Sequence, residues 1–187
     1  IQNNTNYASV VGQGGEVAGL VGWAGISQSS AIINQNINEG SIEGNDVNIG
    51  GIIGRINTTA NYDTTTTTFT QNINRGAVHS TGSYVGGLVG YDYVSTGNAI
   101  NSTFDMQDNY NNGNVSTDDS AVGGLVGYAI VQNYAPEGYF STLNIQRNYS
   151  SGDVSAANAS AGGLIGWTYP NDNSQSVINI DNSFATG

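Results

Sequence analysis

The sequence contains no cysteine, two prolines and few charged side chains. Without cysteine the chain can form neither disulfides nor thiolate metal sites, although this alone does not fix its compartment. Three basic side chains stand against 14 acidic ones, which gives a formal net charge of −11. Such a chain cannot neutralise a phosphate backbone or an anionic lipid surface, and it has no apolar run of spanning length. We therefore expect no nucleic acid partner and no membrane insertion.

The remaining composition favours a folded, all-β protein. Charged residues make up 9% of the chain, glycine contributes 27 residues, and 37% of the residues are hydrophobic. Many of these hydrophobic residues are β-branched or aromatic, which are the types that pack well in strands. The apolar content is sufficient to avoid the disorder that low charge with frequent Gly and Asn can otherwise indicate.

A glycine-rich block recurs along the whole chain. Its first copy, AGLVG, begins at Ala18, and related copies begin at Gly50, Gly86, Gly123 and Gly162. An isolated anchor glycine stands 11 residues before the second residue of each later block, with Ala8 in the same phase at the start. The anchors are Gly40, Gly76, Gly113, Gly152 and Gly187. A repeat of about 20 to 50 residues indicates a solenoid, and the constant 11-residue spacing confines the length variation to one loop per repeat.

The repeat predicts a single parallel β-solenoid over residues 1–187, with about five coils of three short strands each. Recurrent glycine in mid-repeat argues against helices, and right-handed winding is the general preference of parallel crossovers. The repeats are anchored at about 8–39, 40–75, 76–112, 113–151 and 152–187. The array begins and ends in mid-pattern, so we expect it to be part of a longer chain or fibre.

Alignment on the anchors gives columns of similar residues. Apolar columns stand nine, seven and three residues before the anchor and two residues after it, while the column five before it is polar. In the second repeat these positions are Thr67, Phe69, Ile73, Val78 and Gln71, respectively. This period-2 alternation predicts strands with the apolar columns facing inward. We expect the anchor glycine to occupy a corner with positive φ.

An asparagine stands four residues before most anchors. The four residues of this column are Asn36, Asn72, Asn109 and Asn148. Stacked side-chain amides can hydrogen-bond along such a column, so we predict an asparagine ladder. The alternative is a set of turn asparagines that are hydrated independently.

The segments RNYSSGDV, INSTFDMQDNYNNGNV and DNSFATG, combined with the GGLVG block, carry a family resemblance. The pattern N-x-x-x-G-x-V followed by GGLVG resembles the GLUG repeats of bacterial and protist surface proteins, and the likeness covers essentially the entire chain. The resemblance implies a secreted or cell-surface β-solenoid, as in adhesins and in the accessory regions of immunoglobulin-A-cleaving peptidases. It does not imply an activity, since the zinc motif H-E-x-x-H of those peptidases is absent and His79 is the single histidine.

One column directly after the blocks suggests a contact surface for a ligand or partner. It comprises Trp23, Arg55, Tyr91, Tyr128 and Trp167. Stacked at the spacing of neighbouring coils, it would place a guanidinium between aromatic faces. Its rings either bind a glycan or a partner protein or simply seal a corner of the coil by stacking.

Residues for catalysis or metal binding are sparse. His79, flanked by serine and facing outward, suggests no catalytic triad, so we predict no catalytic residues. We also predict no metal site and no cofactor. The acids Asp46, Asp118 and Asp119, which share one type of turn, make calcium a weaker alternative. Among the N-x-S/T sequons, Asn57 and Asn101 are predicted in the variable loops and are the expected glycosylation sites in a eukaryotic, secreted setting.

The sequence thus predicts a non-catalytic extracellular or cell-surface protein that forms or belongs to a filament, stalk or adhesin. Repeat arrays need polar end caps for solubility, and neither end of the chain has one, so we expect self-association or adjoining repeats as partners. Glycans and host or cell-surface proteins are further expected partners. The alternative is a carbohydrate-binding module that uses the aromatic column or the variable loops.

Overall fold

The computed structural model of the chain describes residues 1–98, 100–170 and 175–187. Over these ranges the chain forms β-strands and no helix. Among them there is accordingly no helix with the length and apolarity needed to cross a membrane.

The described strands form five successive coils, preceded by one additional strand, β1 (Thr5–Asn6). The first coil contains β2 (Val10–Gly12), β3 (Val17–Ala18), β4 (Val21–Ser27), β5 (Ser30–Asn34) and β6 (Ile37–Asn38). The second contains β7 (Ile42–Gly44), β8 (Ile49–Gly50), β9 (Ile53–Ala60), β10 (Thr65–Thr70) and β11 (Ile73–Asn74). The third contains β12 (Val78–Ser80), β13 (Val85–Gly86), β14 (Val89–Thr96), β15 (Ser102–Gln107) and β16 (Tyr110–Asn111).

The last two coils repeat the same five positions. The fourth contains β17 (Val115–Thr117), β18 (Ala121–Gly123), β19 (Val126–Asn133), β20 (Ser141–Gln146) and β21 (Tyr149–Ser150). The fifth contains β22 (Val154–Ala156), β23 (Ser160–Gly162), β24 (Ile165–Pro170), β25 (Ser176–Asp181) and β26 (Phe184–Ala185). Each coil therefore has five short strands where the sequence analysis predicted three.

Corresponding strands of successive coils pair in parallel and build five sheets. We name each sheet after its first strand: the β2, β3, β4 and β5 sheets have five strands each, and the β1 sheet has six. The pairing keeps the sequence columns in register, as where Thr67 pairs with Ala31 on one side and with Phe104 on the other. The predicted all-β, parallel solenoid of about five coils is confirmed, while the hand of the coil stays a prediction.

The core lies inside the coil between the β4 and β5 sheets. Phe69, Phe104, Met106 and Leu143 are fully buried, as the columns nine and seven before the anchor predict. A second, smaller apolar cluster packs between the β2 and β3 sheets and contains the column two after the anchor, for example Val78. Complete burial of a large aliphatic or aromatic side chain contributes roughly 1.5–3 kcal/mol, so these stacks are the main source of stability.

The column three before the anchor was predicted inward and faces outward instead. Ile73 and Tyr110 are only half-buried, and Tyr110 and Tyr149 stack on the outer surface with ring centroids 4.7 Å apart. The cause is the preceding polar column, in which Gln71, for example, has φ 54°. A left-handed residue ends the strand and turns the chain. After this bend it is the asparagines four and two before the anchor that point inward.

The prediction of positive φ at the anchor glycines is wrong. Among the described glycines positive φ occurs only at Gly15 and Gly138. The anchors need glycine for a different reason, which is close approach between coils. A Cβ on Gly76 would lie 1.9 Å from the carbonyl oxygen of Gly40 in the coil before, and a Cβ on Gly113 would lie 1.9 Å from that of Gly76.

The sequence predicts variable loops over 57–66, 93–103 and 169–177 in the second, third and fifth repeats. The loops of the second and third repeats are shorter than this, because the strands of the β4 sheet continue beyond the GLVG block. Strand β9 extends to Ala60 and β14 to Thr96, so that in these coils the loops begin only at Asn61 and Gly97. Asn57 therefore lies inside a strand, contrary to its predicted place in a loop. In the last coil, residues 171–174 of the predicted loop lie outside the described residues.

Candidate functional site

The outward face of the β4 sheet carries the aromatic column of the sequence analysis. Register pairing brings the five residues side by side on neighbouring coils, in the order Trp23, Arg55, Tyr91, Tyr128 and Trp167. Alternation along the strands directs these side chains outward, while the intervening residues face the core. The column is therefore a continuous strip along the rod.

Arg55 is the one cation of this strip. Its guanidinium carbon lies 5.0 Å from the centroid of the Tyr91 ring, within cation–π range. Its Nη1 also lies 3.7 Å from a carboxylate oxygen of Glu16 in the preceding coil, and its Nε donates to Asn57 Oδ1 at 3.0 Å. The guanidinium is thus held by one ring, one acid and one amide, where the sequence predicted aromatic rings on both sides.

The inner rings of the strip cover one another. Tyr128 stacks on Trp167 with centroids 5.1 Å apart and also contacts Tyr84 at 4.7 Å. Tyr91 meets Tyr128 edge-on at 5.6 Å. Burial raises the pKa of the Tyr91 hydroxyl to about 12, although the Arg55 charge acts in the opposite direction. These inner rings match the second of the two predicted roles, in which the rings seal a corner of the coil by stacking.

The two ends of the strip remain accessible. Trp23 is 63% exposed and Trp167 is 46% exposed. Next to Trp167 on the same strand, Tyr169 is 48% exposed. The aromatic side chains at the end coils are therefore the accessible part of the strip, whereas Tyr91 is half-buried and Tyr128 is buried.

A group of phenols flanks the strip near the variable loops. Tyr93 Oη donates to Gln132 Oε1 at 3.0 Å, and Tyr134 Oη donates to the same oxygen at 2.6 Å. Burial, with the neighbouring Tyr93 as the next cause, raises the pKa of the Tyr134 hydroxyl. Sequence reasoning missed this group, because Tyr93 and Tyr169 share a column in which the fourth coil has Ile130, and Tyr134 lies in the variable loop after β19.

The outward positions of the five strands of the β4 sheet carry no carboxylate. Asp92 lies on β14 but faces inward, where it is fully buried and neither carboxylate oxygen has a hydrogen-bond partner. Burial raises the pKa of Asp92 well above its usual value, so burial favours the protonated, neutral form of this side chain.

Inside the coil, the predicted asparagine column forms a hydrogen-bonded series. Asn36 Nδ2 donates to Asn72 Oδ1 at 2.9 Å, and Asn72 Nδ2 donates to Asn109 Oδ1 at 3.0 Å. Asn109 Nδ2 continues to Asn148 Oδ1 at 2.9 Å. Each Oδ1 also accepts the backbone N–H of the preceding asparagine, as Asn109 Oδ1 does from Asn72 at 2.8 Å. These buried amides are structural and are not accessible to a ligand.

A second asparagine series, missed by sequence reasoning, lies two residues before the anchors. Asn38 Nδ2 donates to Asn74 Oδ1 at 2.7 Å, and Asn74 Nδ2 donates to Asn111 Oδ1 at 2.8 Å. Each amide also caps the carbonyl of the next anchor, as Asn74 does with Gly76 at 2.8 Å. Asparagine at the same position of four successive repeats was the sequence signal for this series.

On the outer face of the β2 sheet, His79 lies in register between Glu43 and Ser116. Its Nδ1 lies 2.9 Å from Ser116 Oγ. Among the residues that the structure describes, no ion pair joins His79 to Glu43. Both belong to a shallow groove that also includes Val11 and Asn45. The histidine is therefore a half-buried member of an outward-facing column.

The acids considered for calcium lie in different coils. Asp46 Oδ2 accepts the backbone N–H of Gly15 at 3.1 Å, and Asp119 Oδ2 accepts the Ser83 hydroxyl at 2.9 Å. Asp118 lies beside Asp119 in the turn of the fourth coil. Within the described ranges, no group of three or more potential metal ligands occurs.

The two selected sequons differ in accessibility. Asn57 is half-buried, and its Oδ1 accepts the hydrogen bond from Arg55 described above. Asn101 is exposed, lies in the loop before β15, and its Oδ1 accepts the backbone N–H of Phe140 at 2.8 Å. Of the two, Asn101 presents the better acceptor for a glycan.

All three arginines form bridges to acids of the preceding coil. Arg75 pairs with Glu39, Arg147 Nε lies 2.8 Å from Asp108 Oδ1, and Arg55 pairs with Glu16 as described. The hydrogen bond from Arg147 lowers the pKa of Asp108. These bridges are exposed, and exposed pairs typically contribute 0–1 kcal/mol. No cationic side chain of the chain is left over to attract an anionic ligand.

Comparison with known proteins gives no match. No protein-family model, no curated protein and no solved structure is significantly similar to this chain.

Proposed function

We propose that this chain is a rod segment of an extracellular or cell-surface protein, of the kind built from GLUG repeats, and that it extends by the stacking of coils. Its role in this proposal is structural and adhesive rather than catalytic. The observation that carries the proposal is the state of the sheet edges. All five sheets end on strands that pair with only one other strand, β1 to β5 on one side and β22 to β26 on the other, although an isolated bridge from Gln2 to Asn34 covers one end of β5.

Open strand edges expose backbone N–H and C=O groups in the geometry that another strand needs. The end coil also exposes side chains that are buried in the middle of the rod. Ile180 is 50% exposed, whereas Ile145 at the same position of the preceding coil is fully buried. A further coil of the same shape would cover these groups, as each coil covers the one before it. Partners on this proposal are adjoining repeats or other copies of the chain.

Electron microscopy of the native protein tests the proposal. We expect rods of constant width whose length increases by about 4.8 Å for each coil. Compact particles that do not lengthen with the number of repeats in the chain would contradict a structural rod.

A second candidate function is binding of a neutral glycan on the outer face of the β4 sheet. The specific observation in its favour is the combination of accessible aromatic side chains with a face free of carboxylates. Trp167 and Tyr169 offer ring surfaces to which a sugar can bind, and the amide nitrogen of Gln132 is a donor for hydroxyl groups. Because the inner rings face each other, we place the contact at Trp167, Tyr169 and the phenols around Gln132.

A glycan array followed by calorimetry tests this candidate. We expect Trp167→Ala and Tyr169→Ala to reduce binding at least tenfold while both variants remain folded at the temperature of the measurement. Tyr62→Ala, which removes a still more exposed tyrosine from a loop of the second coil, is the control and should leave binding unchanged. Binding that survives both substitutions would remove this face from consideration.

A further inference from the structure

The anchor column has one residue that is not glycine, Ala8. From Gly40 to Gly187 every anchor places its Cα against the anchor carbonyl of the preceding coil. A Cβ added to Gly40 would lie 1.9 Å from the oxygen of Ala8, and a Cβ added to Gly187 would lie 2.1 Å from the oxygen of Gly152. Such distances are far inside van der Waals contact, so a coil can stack in this way on the preceding one only if its anchor is glycine.

Ala8 has the hydrogen bonding of a regular anchor. Asn6 Nδ2 donates to the Ala8 carbonyl at 2.7 Å, just as Asn38 Nδ2 donates to the Gly40 carbonyl at 2.8 Å. The Ala8 carbonyl also receives the next anchor in the same close contact as the later ones do. Because the backbone is placed alike, the Ala8 methyl group points away from the first coil to the place that the anchor carbonyl of a preceding coil would fill.

We propose that the rod is polar in its capacity to grow, with Ala8 closing the stack on one side and Gly187 leaving it open on the other. A preceding coil of this repeat cannot bring its anchor carbonyl against the Cα of Ala8, as the later coils do at their glycines, because the methyl group occupies that place. The partner that the open side accepts is a parallel coil of the same repeat with glycine at its anchor. This inference rests on the proposed stacking function and specifies its direction.

The same geometry governs the contact between two copies of these residues. Strand β1 precedes the first coil, so a second copy stacked on the fifth coil would bring its own β1 to the place that β26 fills. Its Ala8 would then have to replace Gly187 above the Gly152 carbonyl, which leaves no room for a methyl group. End-to-end stacking of copies therefore requires that the residues before Ser9 leave the rod.

Three lengthened chains test the polarity. The first carries a copy of residues 114–152 after Gly187. The second carries a copy of residues 113–151 in front of Ala8, in place of residues 1–7. The third is identical to the second except for Ala8→Gly, so that these two chains differ in one methyl group at the junction.

Urea unfolding of these chains is compared with that of the 187-residue chain. The slope of the unfolding free energy against denaturant scales with the surface exposed. We expect this slope to rise by about a fifth in the first and third chains, because one coil joins five in a single cooperative unit. In the second chain we expect the parent slope and an added coil whose amides exchange rapidly with solvent.

The outcomes separate the two proposals. The role of Ala8 would be overturned if the slope rose equally in the second and third chains, or if it did not rise in the third. Either result would leave the rod proposal intact. A first chain whose slope stays at the parent value would contradict coil stacking itself.

Discussion

Asn36 and Asn72 are 36 residues apart in sequence, yet the side-chain amide of the first donates to the side-chain oxygen of the second at 2.9 Å in the buried interior. The same oxygen accepts the backbone N–H of Asn36 at 3.1 Å. One side chain thus satisfies two donors of the neighbouring coil. The buried amides align successive coils, and register in this fold depends on them as well as on the apolar core.

Replacing Asn72 with alanine is therefore expected to destabilise the rod. The substitution leaves the backbone N–H of Asn36 without its acceptor and removes the donor to the Ile33 carbonyl at 3.0 Å. It also removes one of the two acceptors of Asn36 Nδ2, whose other acceptor is the Ile1 carbonyl. Each orphaned buried group costs about 1–3 kcal/mol. Urea unfolding should show the loss. Asn4→Ala is the control, since Asn4 is exposed at the end of the same series and its loss should cost less than 1 kcal/mol.

An alanine at an internal anchor is expected to be as harmful. Gly113→Ala brings a methyl group onto the Gly76 carbonyl, and the adjacent coils must separate to accept it. Such overpacking typically costs about 1–3 kcal/mol. Gly14→Ala is the matched control, because the nearest atom to its Cβ would be an Asp46 oxygen at 3.7 Å. Equal melting temperatures for the two variants would contradict the close-contact explanation of the anchors.

The left-handed column gives a conformational prediction. Gln71 is exposed and has φ 54°. Gln71→Val should lower the free energy of unfolding by about 1–2 kcal/mol, because a β-branched residue is strained there. Gln71→Asn should be neutral or slightly stabilising, because asparagine tolerates this region. Thermal unfolding of the two variants distinguishes them, and similar stabilities would argue against a left-handed bend at this position.

Asp92 predicts an unusual dependence of stability on pH. Burial raises its pKa in the folded state above the unfolded value of 3.8, so the folded protein favours the protonated form. Below the unfolded pKa the carboxyl is protonated in both states, so its ionisation does not affect the free energy of unfolding. Above it only the unfolded state ionises, and stability falls by about 1.4 kcal/mol per pH unit until the folded pKa is reached.

Asp92→Asn removes this titration. We expect its free energy of unfolding to exceed that of the natural chain by an amount that grows as the pH rises from about 4. Asp118→Asn changes the net charge equally at an exposed turn and serves as the control. A constant difference between Asp92→Asn and the natural chain across this pH range would show that the carboxyl is not buried as described.

The repeat made the coil predictable, and the errors have identifiable physical causes. The constant spacing from each anchor to the next block determines which residues stack, so the columns that contain Phe104 and Leu143 were correctly placed in the core. The outward turn of Tyr110 was not predictable, because the left-handed residue before it is Asp108, and the corresponding residues Gln71 and Arg147 likewise lack the glycine signature of that conformation.

The anchor glycines show a different limit. A glycine required by positive φ and a glycine required by close approach of another backbone look the same in one sequence. Only the contact of Gly76 with the Gly40 carbonyl distinguishes the two causes. The phenols around Gln132 were missed for a related reason, because Tyr134 lies in the variable loop, where columns cannot be aligned.

The parallel pairing of all five sheets has a mechanical consequence. The hydrogen bonds between coils run along the rod, and the two ends of the chain lie at its opposite ends. A pulling force applied there would strain these bonds one coil at a time, because each coil contacts only its neighbours. A released coil of 36 residues would lengthen the tether by roughly 120 Å at full extension. The rod would thus absorb sudden tension by stepwise unwinding and rewind coil by coil when the load is removed.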